Sequence, residues 1–351
     1  MRENSPMPDF EPPAIEVIAP NLKRRLSGVT ATIVRLVPVQ ARQIGIVATG
    51  PGLPPDVPHV PLWKIPFLPR RTRVWHARRN TEMLLGLVLR GLGLSRLKLV
   101  FTSASQRRHS RYTRKLISRM DAVVATSART AAYLERPATV ILHGIDTTSF
   151  APPTDRAALR TRLGLPDGVL VGCYGRIREQ KGTDAFVAAM IEVLPARPAV
   201  TALVMGRATE GHGGYLAGLK ARVAQAGLEG RILFLDEVAV DRMADWYGAL
   251  DLYVAPQRWE GFGLTPLEAM ACGVPVVATT VGAFPEIVTP ETGALVAPGD
   301  IGALAAAAAV FLDDPGQRQA ASVAARAHVE QGFRLEDEAT ALVALYRQLL
   351  A

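Results

Sequence analysis

The run Arg258-Trp259-Glu260-Gly261-Phe262-Gly263-Leu264-Thr265-Pro266-Leu267-Glu268-Ala269-Met270-Ala271-Cys272-Gly273-Val274-Pro275-Val276-Val277 decides how this chain is read. Just before it, Asp251-Leu252-Tyr253-Val254 has the short apolar form of a buried strand. Gly261 and Gly263 permit a tight turn or a close backbone approach to a ligand. Thr265 suits a helix N-cap and Pro266 the first helical position, so a helix is expected over residues 265–271. Residues 274–278 return as a second strand. Strand, loop, helix and strand in this order predict a parallel sheet with a binding site at its carboxyl ends. Glu268 has two readings. In Thr265-x-x-Glu268 it completes a capping box. Together with Glu260 it also offers carboxylate acceptors beside a helix end that favours phosphate.

The same alternation extends outward in both directions. In the first half, strands are expected near residues 15–19, 44–48, 97–102, 122–126 and 139–142, with helices near 29–36, 80–92, 110–118 and 128–134. In the second half, strands are expected near 169–174, 201–205, 232–235, 252–254, 274–278 and 294–296. The intervening helices fall near 184–194, 215–225, 241–247, 265–271, 283–288 and 301–312. The pattern breaks around residues 146–165. This predicts an α/β chain of two Rossmann-like, doubly wound domains facing a cleft. The expected boundaries are residues 1–162, residues 163–333, and a C-terminal helix over 334–351 packing back on the first domain.

Composition narrows the function classes. A chain of 351 residues with 49% hydrophobic content is long enough for two cores. No apolar run reaches the roughly 18 residues that span a bilayer, and the nearest, residues 83–94, is broken by Arg90. The first fourteen residues hold four prolines and lack the order of a secretion signal, and Cys173 and Cys272 are isolated. A cytoplasmic protein is expected. The net charge of +8 is unevenly spread: residues 1–165 carry 26 Lys+Arg against 10 Asp+Glu, and residues 166–351 carry 14 against 22. Between Lys64 and Arg119 there are fifteen basic residues and a single acid, Glu82. The first half therefore suits an anionic partner. Nucleic acid is not expected, because no reader motif is present, aromatics are 6%, and the second half is acidic.

Gly175-Arg176-Ile177-Arg178-Glu179-Gln180-Lys181-Gly182 follows the strand at 169–174 and precedes a helix. Two cations at such a turn can neutralise a diphosphate as it departs, whereas the plainer reading is a solvated basic loop. The glycine spacing is not that of a Walker loop. Arg176 and Lys181, followed at this spacing by Glu260 and Glu268, resemble the retaining glycosyltransferases of family 4, which have the GT-B fold. The resemblance covers nearly the whole chain, and the 261–277 run is among that family's most specific signatures. It implies that Arg176, Lys181 and Glu260 form the catalytic set. Arg176 and Lys181 would bind the donor diphosphate, Glu260 the sugar hydroxyls, and Glu268 the ribose. Backbone amides of Gly261, Phe262, Gly263 and Leu264 would cradle sugar and phosphate, with Thr265 offering a hydroxyl. Asp236-Glu237-Val238 would read the base edge, with Val238 against the base. No metal or other cofactor is implied, and Asp313-Asp314-Pro315 reads as a helix-ending turn.

The first domain matches the family pattern less completely. Ser27-Gly28-Val29 stands where family members carry a glycine loop, with Gly28 as the close-approach residue but no doubled glycine. A family histidine expected just past a mid-domain strand is absent from Val100-Phe101-Thr102-Ser103-Ala104-Ser105. His76 and His109 are the candidate replacements, and each reads equally well as an ordinary polar histidine. His143 reads as structural. The segments 21–28, 76–80 and 105–110 most resemble mannosyltransferases of the lipopolysaccharide inner core, which move mannose from GDP-mannose to a Kdo residue. The candidate acceptor-binding residues are His76, Arg78, Arg79, Arg107, Arg108, His109 and Arg111, since arginine forks onto carboxylate and phosphate. The reading is a glycosyltransferase acting on an anionic glycolipid, peripheral on the cytoplasmic face of a membrane. Its rivals are a UDP-hexose or nucleotide-heptose donor with another anionic acceptor, a basic nucleic-acid binder, and an inactive scaffold.

Overall fold

The computed structural model describes residues 15–23, 28–93 and 96–351. The chain divides into two compact units: residues 1–144 together with 335–351, and residues 145–334.

The first unit holds the parallel strands β1 (Val17–Pro20), β2 (Ile46–Thr49), β3 (Thr72–Ala77), β4 (Arg96–Ser103), β5 (Ala122–Ala125) and β6 (Thr139–Val140), ordered β2-β1-β3-β4-β5-β6. Helices α1 (Gly28–Gln40), α2 (Asn80–Gly91), α3 (Arg111–Ile117) and α4 (Ala128–Ala132) connect them, and a 3-10 turn, Leu62–Phe67, leads into β3. Alternate strand residues feed two cores. Val17, Ile46, Val74 and Val100 pack with α1 and with the C-terminal helix. Ile18, Trp75, Leu99 and Phe101 pack with Ile65 of the 3-10 turn and with α2 and α3. Strand β3 lies in the middle of the sheet, although no strand is expected there from the sequence. Its Thr72-Arg73-Val74-Trp75-His76-Ala77 looks basic and polar, but Arg73 is buried, with Nε donating to Ile15 O (3.0 Å) and Nη1 to Pro69 O (2.8 Å).

The second unit holds α5 (Arg156–Leu163), β7 (Val169–Tyr174), α6 (Thr183–Val193), β8 (Val200–Met205), α7 (Gly213–Gln225), β9 (Ile232–Leu235), α8 (Met243–Gly248) and β10 (Leu252–Ala255). It continues with α9 (Thr265–Ala271), β11 (Val276–Thr279), α10 (Phe284–Ile287), β12 (Gly293–Val296), α11 (Ile301–Asp313) and α12 (Pro315–Gly332). Its parallel sheet runs β12-β11-β10-β7-β8-β9, so chain direction across the sheet reverses between β7 and β10. Their carboxyl ends therefore form a crevice where ligands bind in sheets of this kind.

The boundary falls at Gly144, not at residue 162. Helix α5 belongs to the second unit because Arg156 and Arg160 both pair with Asp251 at the foot of β10 (3.4 and 2.7 Å). The last helix, α13 (Leu335–Leu350), is part of the first unit. There Glu338 meets His143 Nδ1 at 2.7 Å and accepts from Gly144 N at 2.8 Å, while Tyr346 reaches the sheet. Cys173 and Cys272 are buried free thiols, and burial pushes each up to about 12.

Candidate active site

At the β7–β10 crevice two loops meet. The first leaves β7 at Gly175 and ends in a single 3-10 turn, Glu179–Lys181, before α6. The second leaves β10 at Pro256 and reaches α9. Gly182 makes the meeting possible: its φ is +71°, and a Cβ there would overlap the Pro256 carbonyl oxygen. Gly263, at φ +88°, lets the second loop fold back, since a side chain would strike the Phe284 ring and crowd Glu260.

These turns bring Lys181 and Glu260 into direct contact as a half-buried ion pair. The other carboxylate oxygen of Glu260 accepts from Gly261 N at 2.9 Å, so both of its oxygens are held. Arg176 is exposed and forms no salt bridge among the described residues. Cys173, Tyr174, Gly175, Arg176, Lys181 and Gln257 help line a small pocket that opens to solvent. The site thus presents one free guanidinium, one ammonium shared with a carboxylate, and a polar floor.

A clamp absent from the sequence reading holds the loops in register. Arg258 donates to both carboxylate oxygens of Asp184 (2.6 and 2.7 Å) and to Glu179 O (2.7 Å), while its own N–H bonds Gln180 O (3.0 Å). The Tyr215 hydroxyl donates to Asp184 Oδ1 at 2.7 Å. Burial alone would raise the Asp184 pKa, but the Arg258 and Tyr215 hydrogen bonds more than offset it, and the net shift is downward. No short motif announces this arrangement, because its members lie on three separate elements.

The capping-box reading of Thr265 and Glu268 is corrected. Leu264 is the N-cap and is already in helical conformation (φ −79°, ψ −23°), so the extended geometry that a capping side chain needs is absent. Thr265 is the first helical residue, and its hydroxyl bonds the Tyr253 side chain. The buried Tyr247 hydroxyl has its pKa raised by burial first and by the nearby Glu268 charge second. Tyr174, Tyr247 and Tyr253 stack beneath the loop with ring centroids 5.3, 6.0 and 5.4 Å apart. Glu268 lies half-buried beside this aromatic floor. Phe262 is buried; Gly261, Gly263 and Leu264 are half-buried along the loop. Val238 sits half-buried past β9, on the far side of β8 from β7.

In the first unit the candidate residues separate into two kinds. His76 is fully buried, sharing hydrogen bonds with Tyr346 Oη (2.5 Å) and Thr102 Oγ1 (2.6 Å). Burial, then the nearby Arg78 charge, holds its pKa well below 6.5. It ties α13 to the sheet and cannot reach an acceptor from there. Arg79 is likewise committed, donating to Glu82 Oε1 (2.6 Å), Asn21 Oδ1 (3.0 Å) and Thr30 Oγ1 (3.0 Å). It neutralises the buried Glu82 and binds the segment after β1 to α1. Sequence spacing could not distinguish these buried partners from solvent-facing ones. Arg78 is half-buried, and its N–H bonds Glu82 Oε2 (2.8 Å). Arg107, Arg108 and Arg111 are exposed, with Arg108 3.4 Å from Glu135. His109 is half-buried against Ser103 Oγ (3.2 Å), its pKa lowered by burial and by Arg107. Gly28 opens α1, and Ser27 lies outside the described residues.

Two all-parallel six-stranded sheets with connecting helices give the chain an α/β fold of the GT-B architecture. The model of the family "Glycosyl transferases group 1" matches residues 168–314. The lipopolysaccharide core biosynthesis mannosyltransferase LpsB of Rhizobium meliloti (strain 1021) is 56% identical, over 96% of this chain and 98% of that protein. The lipopolysaccharide core biosynthesis mannosyltransferase LpcC of Rhizobium leguminosarum bv. viciae is 53% identical, over 98% and 99%. Among solved structures, HepE of Anabaena in complex with UDP superposes with a TM-score of 0.82 at 20% identity, covering 95% of this chain and 100% of that one. The chain belongs to the group 1 glycosyl transferases, in company with lipopolysaccharide core mannosyltransferases.

Proposed function

We propose that the protein transfers mannose from GDP-mannose to an anionic sugar of the lipopolysaccharide core, such as Kdo, with retention of anomeric configuration. The observation that carries this reading is the Lys181–Glu260 pair held beside the unpaired Arg176 at the β7–β10 reversal, in a chain so close to two core mannosyltransferases. Arg176 and Lys181 neutralise the departing diphosphate where a metal ion would otherwise do so. Glu260, once its lysine turns to phosphate, accepts from the sugar hydroxyls. Glu268 receives the ribose, the loop amides from Gly261 to Leu264 and the Thr265 hydroxyl line the phosphates, Val238 meets the base, and Gly28 is the close-approach residue of the first unit. A donor phosphate oxygen takes the acceptor proton, so no enzymic base is required. Arg107, Arg108 and Arg111 are the exposed cations that suit a Kdo carboxylate or a lipid A phosphate. The reaction belongs to the cytoplasmic face of a membrane. No helix among the described residues is long and apolar enough to cross one.

Thermal-shift titration with GDP, UDP and ADP and their sugar forms, followed by proton NMR of the product, tests this reading. The expected result is stabilisation by GDP-mannose and an α-linked mannoside on a Kdo acceptor. Selective stabilisation by a UDP-hexose or a nucleotide heptose would replace the donor, and an inverted linkage would remove retention.

A further inference from the structure

The two faces of the first unit differ in what they show to water. Helices α1 and α13 cover one face and contribute no large exposed apolar side chain. The 3-10 turn Leu62–Phe67, α2 and α3 cover the other, anchored by Ile65, Met83, Leu89, Leu116 and Ile117. That layer exposes Trp63 (67%), Phe67 (81%), Leu84, Val88, Leu92 (67%) and Tyr112. Leu84, Val88 and Leu92 recur every four positions, so they form one stripe along α2. Single exposed hydrophobes are ordinary on a protein surface, but six on one layer are not.

The charges around the stripe identify what would cover it. Lys64, Arg70, Arg107, Arg111, Lys115 and Arg119 belong to the same layer or its flanking loops, and none is within salt-bridge range of a carboxylate among the described residues. The nearby acids are already committed: Asp121 pairs with Arg90, Glu135 with Arg108 and Arg114, and Glu82 is buried against Arg79. Lys64 Nζ lies 5.4 Å from the Trp63 ring, so cation and aromatic sit on one turn. A second copy of this chain docked here would set two groups of unpaired cations against each other. An anionic leaflet instead accepts the apolar side chains among its acyl chains and the cations among its headgroups.

We propose that this face, with Trp63 and Phe67 at one end and the Leu84–Val88–Leu92 stripe beside them, is a docking surface for an anionic lipid bilayer. The inference sharpens the membrane part of the function proposed above, and its test does not depend on mannose transfer. In co-sedimentation, the full chain is expected to bind phosphatidylcholine vesicles containing phosphatidylglycerol, and to be released by salt and by omission of the anionic lipid. Trp63→Ser with Phe67→Ser is expected to weaken partitioning about tenfold or more. Lys64→Gln and Lys115→Gln are each expected to weaken it about fivefold. Both changes fall on exposed positions, so the nucleotide-induced thermal shift should be unchanged. Equal sedimentation of the double variant and the parent would overturn the proposal. So would equal binding to pure phosphatidylcholine, or a concentration-dependent dimer that the double variant dissociates. Vesicle binding without any mannosyl transfer would sink the functional reading alone. Transfer to a deacylated soluble acceptor without vesicle binding would sink the docking surface alone.

Discussion

Lys181 and Glu260, 79 positions apart in the chain, are joined in an ion pair across the reversal point of the second sheet. The carboxylate also accepts from Gly261 N, so it is fixed before any ligand arrives, whereas the lysine ammonium pairs, among the described residues, with this carboxylate alone. A phosphate entering beside Arg176 competes with Glu260 for the ammonium.

Lys181→Met is therefore expected to lower kcat/KM about a hundredfold or more through loss of charge stabilisation on the leaving diphosphate. A double-mutant cycle with Glu260→Gln should give a coupling of about 1–2 kcal/mol in thermal stability without nucleotide, and less with GDP bound. Coupling unchanged by GDP would mean that the lysine never leaves its carboxylate.

The Arg258–Asp184 clamp should be felt in turnover more than in folding. Arg258→Lys keeps the charge but loses the fork, and loop misplacement is expected to cost about ten- to a hundredfold in kcat/KM. The folded-state pKa of Asp184 lies below its ordinary 3.8, so its stabilisation is present above that value and is lost as pH falls through the folded pKa. Asp184→Asn should flatten the acid limb of the stability profile measured by urea unfolding. An identical limb in both proteins would refute the assignment.

Gly182→Ala tests the contact between the two loops. The positive φ and the Pro256 carbonyl leave no room for a methyl, and a loss of about 1–3 kcal/mol is expected. Donor affinity should fall with it, because Lys181 is the adjacent residue. Wild-type stability with wild-type donor affinity would show that the turn can relax.

His76 predicts a second pH effect, in the first unit. Its folded pKa is depressed, so the neutral ring stabilises the fold above 6.5, and that contribution is lost as pH falls from 6.5 toward the folded value. His76→Gln should remove this part of the slope, as read from urea midpoints across that range. Turnover on a soluble acceptor should follow stability only, since the side chain is enclosed by Tyr346 and Thr102. A change in the pH–rate profile at constant stability would restore His76 to the acceptor site.

The amino-acid order by itself determined the alternation of strands and helices, the parallel sheet of the second unit, and the loop carrying Gly261, Gly263, Glu260 and Glu268. Apolar periodicity and turn chemistry are local, so they can be read from neighbours in the chain. It likewise singled out Arg176 and Lys181, which lie within one short turn. Tertiary structure decided which polar residues are spent on one another. Arg73 reads as a surface cation but lies inside β3, His76 and Arg79 are enclosed by partners from distant elements, and Leu264 rather than Thr265 caps α9. The Arg258–Asp184–Tyr215 clamp and the Lys181–Glu260 pair likewise exist only after folding. Burial and pairing of charge depend on contacts between residues tens to hundreds of positions apart, and no local pattern encodes them.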